Sequence, residues 1–176
     1  MTIQAFINTY AKYAMPAKQA GIFPAVSLAA AYLESNRAGG ISILAERYNN
    51  FHGIQKYPKW TGKTVKLKDN QAGDYREFCV YPSVQAGFNG FVKFLKDNPR
   101  YTKAGVFQAK TPREQIKRIG SAGYSETKTW SETAAKMIQT AAHHVKAHPD
   151  ALFAFLLVAA GALLFGKQIN RIFTRR

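Results

Sequence analysis

The chain has ten carboxylates in 176 residues, so acid or base chemistry has few candidates. Glu34 stands out because it closes the run A-V-S-L-A-A-A-Y-L (25 to 33), which only Ser27 interrupts. On a helix Glu34 shares a face with Ala30, Ala31 and, further back, Ser27. Such small neighbours leave room for a substrate beside the carboxyl. An apolar pocket would also raise its pKa, which a general acid for glycosidic cleavage requires. The competing reading makes Glu34 the polar last turn of a core helix, paired with Arg37 or Arg47. Spacing alone favours that second reading.

Other chemistries find less support. There is no phosphate-cradling glycine loop, no nucleophile elbow and no metal-ligand spacing. His143, His144 and His148 have no acidic partner in sequence and read as a solvated helix end. The single Cys79 excludes an internal disulfide and gives no ligand cluster. No cofactor and no metal are expected.

The elements that must position Glu34 are mostly helical. Phe6, Ile7, Tyr10 and Tyr13 recur at helical spacing and predict a helix from Thr2 to about Gln19, kinked or divided at Pro16. Gly21 and Pro24 punctuate, and Pro24 starts a helix over 24–35, with Gly39-Gly40 ending that element. Ser42 caps a short helix through Tyr48. From Lys63 to Lys68 and from Tyr75 to Tyr81 the pattern alternates about D-N-Q-A-G-D, a β-hairpin signal. Ser83 caps a helix to about Asp97 with Val84, Phe88, Phe91, Val92 and Leu95 inward. T-P-R-E (111 to 114) is a capping box and T-W-S-E (129 to 132) a candidate second one, before a helix over about 130–147. The fold class expected is α+β, lysozyme-sized: mainly helical with one small β-hairpin.

Residues 151–166, A-L-F-A-F-L-L-V-A-A-G-A-L-L-F-G, carry no charged or polar side chain. At about 1.5 Å per residue they make roughly 24 Å of helix, slightly short of a bilayer core of about 30 Å. A core helix would show a polar face and this segment has none, so a C-terminal transmembrane helix is expected. The organisation is then a domain over 1–148 followed by a span and basic tail over 149–176. The tail's Lys167, Arg171, Arg175 and Arg176 face the cytoplasm or an equivalent lumen by the positive-inside rule. The chain's formal charge is +15. Without the four tail residues, 21 basic residues stand against ten acids, a formal +11. That excess attracts polyanions such as wall polymers or anionic lipid. Nucleic acid is disfavoured as a partner, because the basic residues form no stripe. Sequence assigns no oligomeric state.

Six segments, in order over about 1–140, resemble the glucosaminidase domain of bacteria and phages (glycoside hydrolase family 73). They are G-I-F-P-A-V-S-L-A-A-A-Y-L-E-S-N (21 to 36), N-N-F-H-G-I (49 to 54), K-W-T-G-K-T-V (59 to 65), F-C-V-Y-P-S (78 to 83), N-P-R-Y (98 to 101) and A-G-Y-S-E-T (122 to 127). The resemblance implies a lysozyme-like fold in which the hairpin walls a sugar groove, and a peptidoglycan glycan strand as substrate. It also implies that Glu34 is the catalytic general acid, with Tyr124 the active-site tyrosine near it. Asn50 and Gly53 fall in the turn beneath the groove, and Trp60 on a family tryptophan at the hairpin base. The indole of Trp60, taken by itself, reads more readily as packing than as a sugar platform. A second acid on the first hairpin strand falls on Gln71 by ungapped counting, with Asp69 or Asp74 as substitutes after a register shift. Otherwise a positioned water or the substrate's N-acetyl group serves. His52 stands where the family usually has an aromatic such as Phe. Glu77 and Glu126 read as surface charges, Glu46 as a groove residue or as support for its helix.

Together these features predict a membrane-anchored peptidoglycan hydrolase, an N-acetylglucosaminidase. A lytic transglycosylase and a non-catalytic wall-binding or virion-structural protein are the alternatives. The start M-T-I-Q-A-F-I-N-T-Y has no secretory signal pattern. A lipid-containing phage virion, where the span would sit in the internal membrane, reconciles that with the tail charges.

Overall fold

The computed structural model describes residues 1–38, 40–68, 73–127 and 129–147. The expected span at 151–166, its basic tail, His148, Asp69 and Gln71 lie outside the described residues. Among the described residues no helix is long and apolar enough to cross a membrane.

Thr2 accepts from the Ala5 N–H and opens α1 (Ile3–Ala14). The expected continuation to Gln19 is not α-helical. Pro16 has no N–H to return to the preceding turn, so Met15–Ala20 tightens into a 3-10 turn ended by Gly21. Pro24 then starts α2 (Pro24–Ser35), which stops before the Gly39-Gly40 pair expected to end it. The chain instead forms an unexpected two-residue ladder, β1 (Asn36–Arg37) against β2 (Gly40–Ile41). Ser42 caps α3 (Ile43–Tyr48) through the Ala45 N–H.

The expected hairpin is present as β3 (Thr64–Lys68) antiparallel to β4 (Tyr75–Cys79), in register from Thr64↔Cys79 to Lys68↔Tyr75. Its second strand stops short of Tyr81, because the Tyr81 N–H turns away to the Tyr48 carbonyl at the end of α3. Ser83 caps α4 (Val84–Asp97), whose Phe88, Phe91, Val92 and Leu95 are buried while Val84 is only partly so. N-P-R-Y makes a short helix, α5 (Pro99–Lys103), which the pattern had not suggested. Thr111 caps α6 (Pro112–Ser121) through the Glu114 N–H, and α7 (Trp130–Ala147) follows.

Every residue of α2 from Pro24 to Ala31 is buried. A helix apolar on all sides must be surrounded, and α1, α4, α6 and α7 all pack against it. Its alanines let those helices approach closely. Gln115 of α6 locks the entry to α2 and is itself fully buried. Its amide donates to the Gly21 and Val106 carbonyls at 2.8 and 2.9 Å and accepts from the Phe23 N–H at 2.8 Å. Glu34 lies in the last turn of α2, at the end opposite this lock.

Candidate active site

Three separate pieces of chain meet at the Glu34 carboxyl. The first is the turn after α3. Asn49 takes the left-handed conformation (φ 54°), and Asn50 is buried with its side chain closing the turn. The Asn50 amide donates to the Ile54 and Cys79 carbonyls and its oxygen accepts from the Ile54 N–H, each at 2.9 Å. That clasp holds Gly53 at φ +62°, a conformation that favours glycine. A Cβ at Gly53 would lie 3.4 Å from Glu34 Oε2, so its absence leaves the space in front of that oxygen. Asn50 therefore acts from beneath the site, and Gly53 borders it.

The second piece is the segment after α6. The Tyr124 hydroxyl donates to the His52 carbonyl at 2.7 Å. Its ring stands edge-on to Phe91 and lies 4.9 Å from the Trp130 ring. Burial and the nearby Glu34 charge push the Tyr124 phenol well above its ordinary range, so it stays protonated. The third piece is the first turn of α7. Trp130 is buried, and its Nε1–H donates to Glu34 Oε1 at 2.7 Å. This is the partner of Glu34, rather than the Arg37 or Arg47 considered from sequence. Arg37 acts only through its charge, its guanidinium donating to the Asn36 carbonyl. Arg47 is exposed on α3.

Burial raises the Glu34 pKa above the usual carboxylate value, opposed by the Trp130 bond and the Arg37 charge. The acid form is therefore more populated near neutrality than on an exposed glutamate, which suits a proton donor.

Glu34 borders a groove with two sections. One, about 750 Å³, is lined by polar and charged groups including Lys56, Arg76, Asn98, Arg100 and Glu126, with Tyr57 and Phe94. The other, about 830 Å³, is lined by Leu33, Ile41, Ile43, Leu44, Leu67, Phe78 and Trp130, with Arg37 and Lys68. Glu34, Gly53, Gln55, Ser125 and Thr127 are common to both. The Glu34 carboxyl is thus among the residues that the two sections share.

The remaining sequence candidates are distributed differently. Asp74 is exposed in the hairpin and lines neither section. Trp60 also lines neither: its ring packs edge-on against Tyr81 and its N–H donates to the Lys63 carbonyl at 3.1 Å. Glu77 pairs with Lys56, and Glu46 is exposed on α3 away from both sections. Glu126, read from sequence as a surface charge, lines the polar section and reaches Arg76 at 3.6 Å. His52 does an aromatic ring's work, stacking on Phe91 at 4.3 Å and standing edge-on to Phe88. Its Nε2 bonds the Ser27 carbonyl at 3.0 Å, and full burial holds its pKa down at about 3, so it is neutral. Among the described residues no group of three His, Cys, Asp or Glu is placed to hold a metal.

Trp130 is the residue that sequence reasoning missed. Its position inside a capping box marked it as a helix start, and nothing local connects it to an acid 96 positions earlier.

A model of the glucosaminidase family, described as mannosyl-glycoprotein endo-beta-N-acetylglucosaminidase, matches residues 10–143. The chain belongs to the glucosaminidase family. It is a glycoside hydrolase of that family. The peptidoglycan hydrolase FlgJ of Vibrio parahaemolyticus is 31% identical over 144 residues, which are 77% of this chain and 46% of that protein. This glucosaminidase thus spans about half the length of the curated relative it matches. The catalytic domain of the autolysin Auto from Listeria monocytogenes is 26% identical with a TM-score of 0.62, covering 80% of this chain and 85% of that one. The glycoside hydrolase domain of Salmonella typhimurium FlgJ shares the fold, with a TM-score of 0.65 at 24% identity over 89% of this chain and 98% of that one. The family and fold expected from the six motifs are those found.

Proposed function

We propose that this glucosaminidase cleaves β-1,4 glycosidic bonds of the peptidoglycan glycan, as an N-acetylglucosaminidase, with Glu34 as the general acid. The observation that carries the proposal is a desolvated carboxyl at the junction of a two-section groove, held by Trp130 and fronted by Gly53. Relatives described as a peptidoglycan hydrolase and an autolysin support the substrate class. A wall-fragment zymogram and mass spectrometry of the products test it. Wild type clears the gel and leaves reducing N-acetylglucosamine ends, while Glu34→Gln does not clear. Equal clearing by both proteins removes Glu34 from the mechanism, and no clearing by either favours a non-catalytic wall-binding module.

A lytic transglycosylase is the second reading, and one observation favours it. Glu126 is the only other acid lining the groove among the described residues, and it sits within reach of Arg76. A single-acid reaction would then close the sugar on itself. Products ending in 1,6-anhydro sugars decide for it.

The proposal extends to anchoring: residues 151–166 hold the enzyme in a membrane with the catalytic domain facing the wall. The support is the uncharged run and the four basic residues behind it. Truncation after residue 148 should release the protein from the membrane fraction, and a truncated chain that stays bound ends this part of the proposal. The membrane of a phage virion is the site of action proposed, and absence from purified particles overturns it. The excess positive charge adds adsorption to anionic wall polymers, which weakens as salt rises.

A further inference from the structure

The two oxygens of Glu34 have different surroundings. Oε1 receives the Trp130 Nε1–H at 2.7 Å. An indole N–H can only donate, so Oε1 must act as an acceptor whether or not the carboxyl is ionised. In the acid form the carbonyl oxygen is the better acceptor of the two, so the indole bond favours Oε1 as the carbonyl and Oε2 as the proton carrier. That oxygen faces the turn at Gly53, where the missing Cβ leaves it uncovered, and Gly53 borders both groove sections. The donor is itself held in place: the Trp130 ring is buried at 4.9 Å from the Tyr124 ring, and Tyr124 is tied to the His52 carbonyl.

We propose that Trp130 is a positioning residue of this glucosaminidase, assigning the transferable proton of Glu34 to Oε2 on the Gly53 side of the groove. The inference rests on Glu34 being the general acid. Without the indole N–H either oxygen can carry the proton, and a carboxyl turned over presents its proton toward α7 rather than toward the glycosidic oxygen. The bond also favours the ionised form of Glu34, so its loss raises the pH at which the acid is titrated.

Two experiments on the full chain test this. Trp130→Phe keeps a ring against Tyr124 and removes the N–H. Turnover on peptidoglycan fragments should fall about tenfold with KM within about twofold, and the alkaline limb of the pH–rate profile should move to higher pH. A fall in turnover with the limb unmoved means that the ring merely packs, and overturns the proposal. The second experiment does not depend on that variant folding. The chain has two tryptophans, and Trp60 donates to a main-chain carbonyl that does not titrate. In indole ¹⁵N NMR of the wild type, the Trp130 N–H resonance should move through the Glu34 titration while that of Trp60 stays fixed, and Glu34→Gln should abolish the movement. A Trp130 resonance that ignores pH overturns the proposal. If the wild type cleaves no glycan at all, the general-acid reading fails and takes the catalytic part of this inference with it, even where the indole still reports Glu34.

Discussion

Trp60 at the base of the hairpin and Trp130 at the start of α7 each use the indole N–H on a partner within the molecule. Trp60 donates to the Lys63 carbonyl at 3.1 Å and packs against Tyr81. Trp130 donates to the Glu34 carboxyl at 2.7 Å and packs against Tyr124. A carbonyl is the same acceptor at every pH, so the Trp60 bond only holds the chain in shape. A carboxyl changes charge, so the Trp130 bond is coupled to protonation and through it to chemistry. The same side chain with the same donor is structural in one region and part of the site in the other. What decides is the acceptor, and the sequence around each tryptophan does not name it.

The strongest test of this contrast removes the acceptor that makes Trp130 special. Glu34→Gln keeps the size of the side chain and should lower turnover by about a thousandfold. Its thermal midpoint should stay level or rise, because a desolvated carboxyl has been replaced by a neutral amide. A large loss of stability would mean that the carboxylate serves the fold instead.

The layer beneath the site gives the next largest effect, seen in stability. His52 takes up a proton near pH 6.5 when unfolded but only near pH 3 when folded. The unfolded state binds more protons between those values, so stability falls as pH drops through that window. Between pH 7.5 and pH 5 this group should cost about 2 kcal/mol. His52→Phe preserves the stack on Phe91 and should remove that part of the slope, measured by denaturant unfolding at the two pH values. An unchanged slope would show that the folded imidazole takes up its proton near the ordinary value.

Gly53→Ala works on the open side of Glu34. It forces a Cβ to within van der Waals reach of Oε2 and an L residue to φ +62°, costing about 1 kcal/mol of stability. Turnover should fall roughly tenfold, measured on the same fragments as Trp130→Phe. Unaltered turnover would show that the Gly53 side is not the side of attack. The smallest effect is expected at the other tryptophan. Trp60→Phe should leave turnover within about twofold and lower stability by about 1 kcal/mol, since one hydrogen bond to main chain is lost. A large loss of activity in that variant would break the contrast between the two regions.

Local signals carried much of the architecture. The caps at Ser42, Ser83 and Thr111, the proline at the start of α2 and the alternation of β3 and β4 all act within a few residues. Their helix and strand starts were legible for that reason. Pro16 was recognised as a break, although the 3-10 form of the following turn depends on how Gly21 ends it. The β1–β2 ladder was not legible, being too short for any alternation to register. Glu34, Tyr124 and Gly53 were picked out by motif, and the structure brings all three to one groove.

The sequence by itself determined the family, the starts of most of the longer helices, and a carboxyl at the end of an apolar helix. The family shows in six motifs in order along the chain, and the rest depends on residue type and on spacing of four or fewer positions, all of which the chain displays directly. Tertiary structure alone decided what that carboxyl touches. Trp130 lies 96 positions from Glu34, and Gln115 lies 92 positions from the Phe23 N–H it accepts. Such pairings are set by how whole helices pack around α2, and a donor carries no mark in the sequence of the acceptor that packing will bring to it.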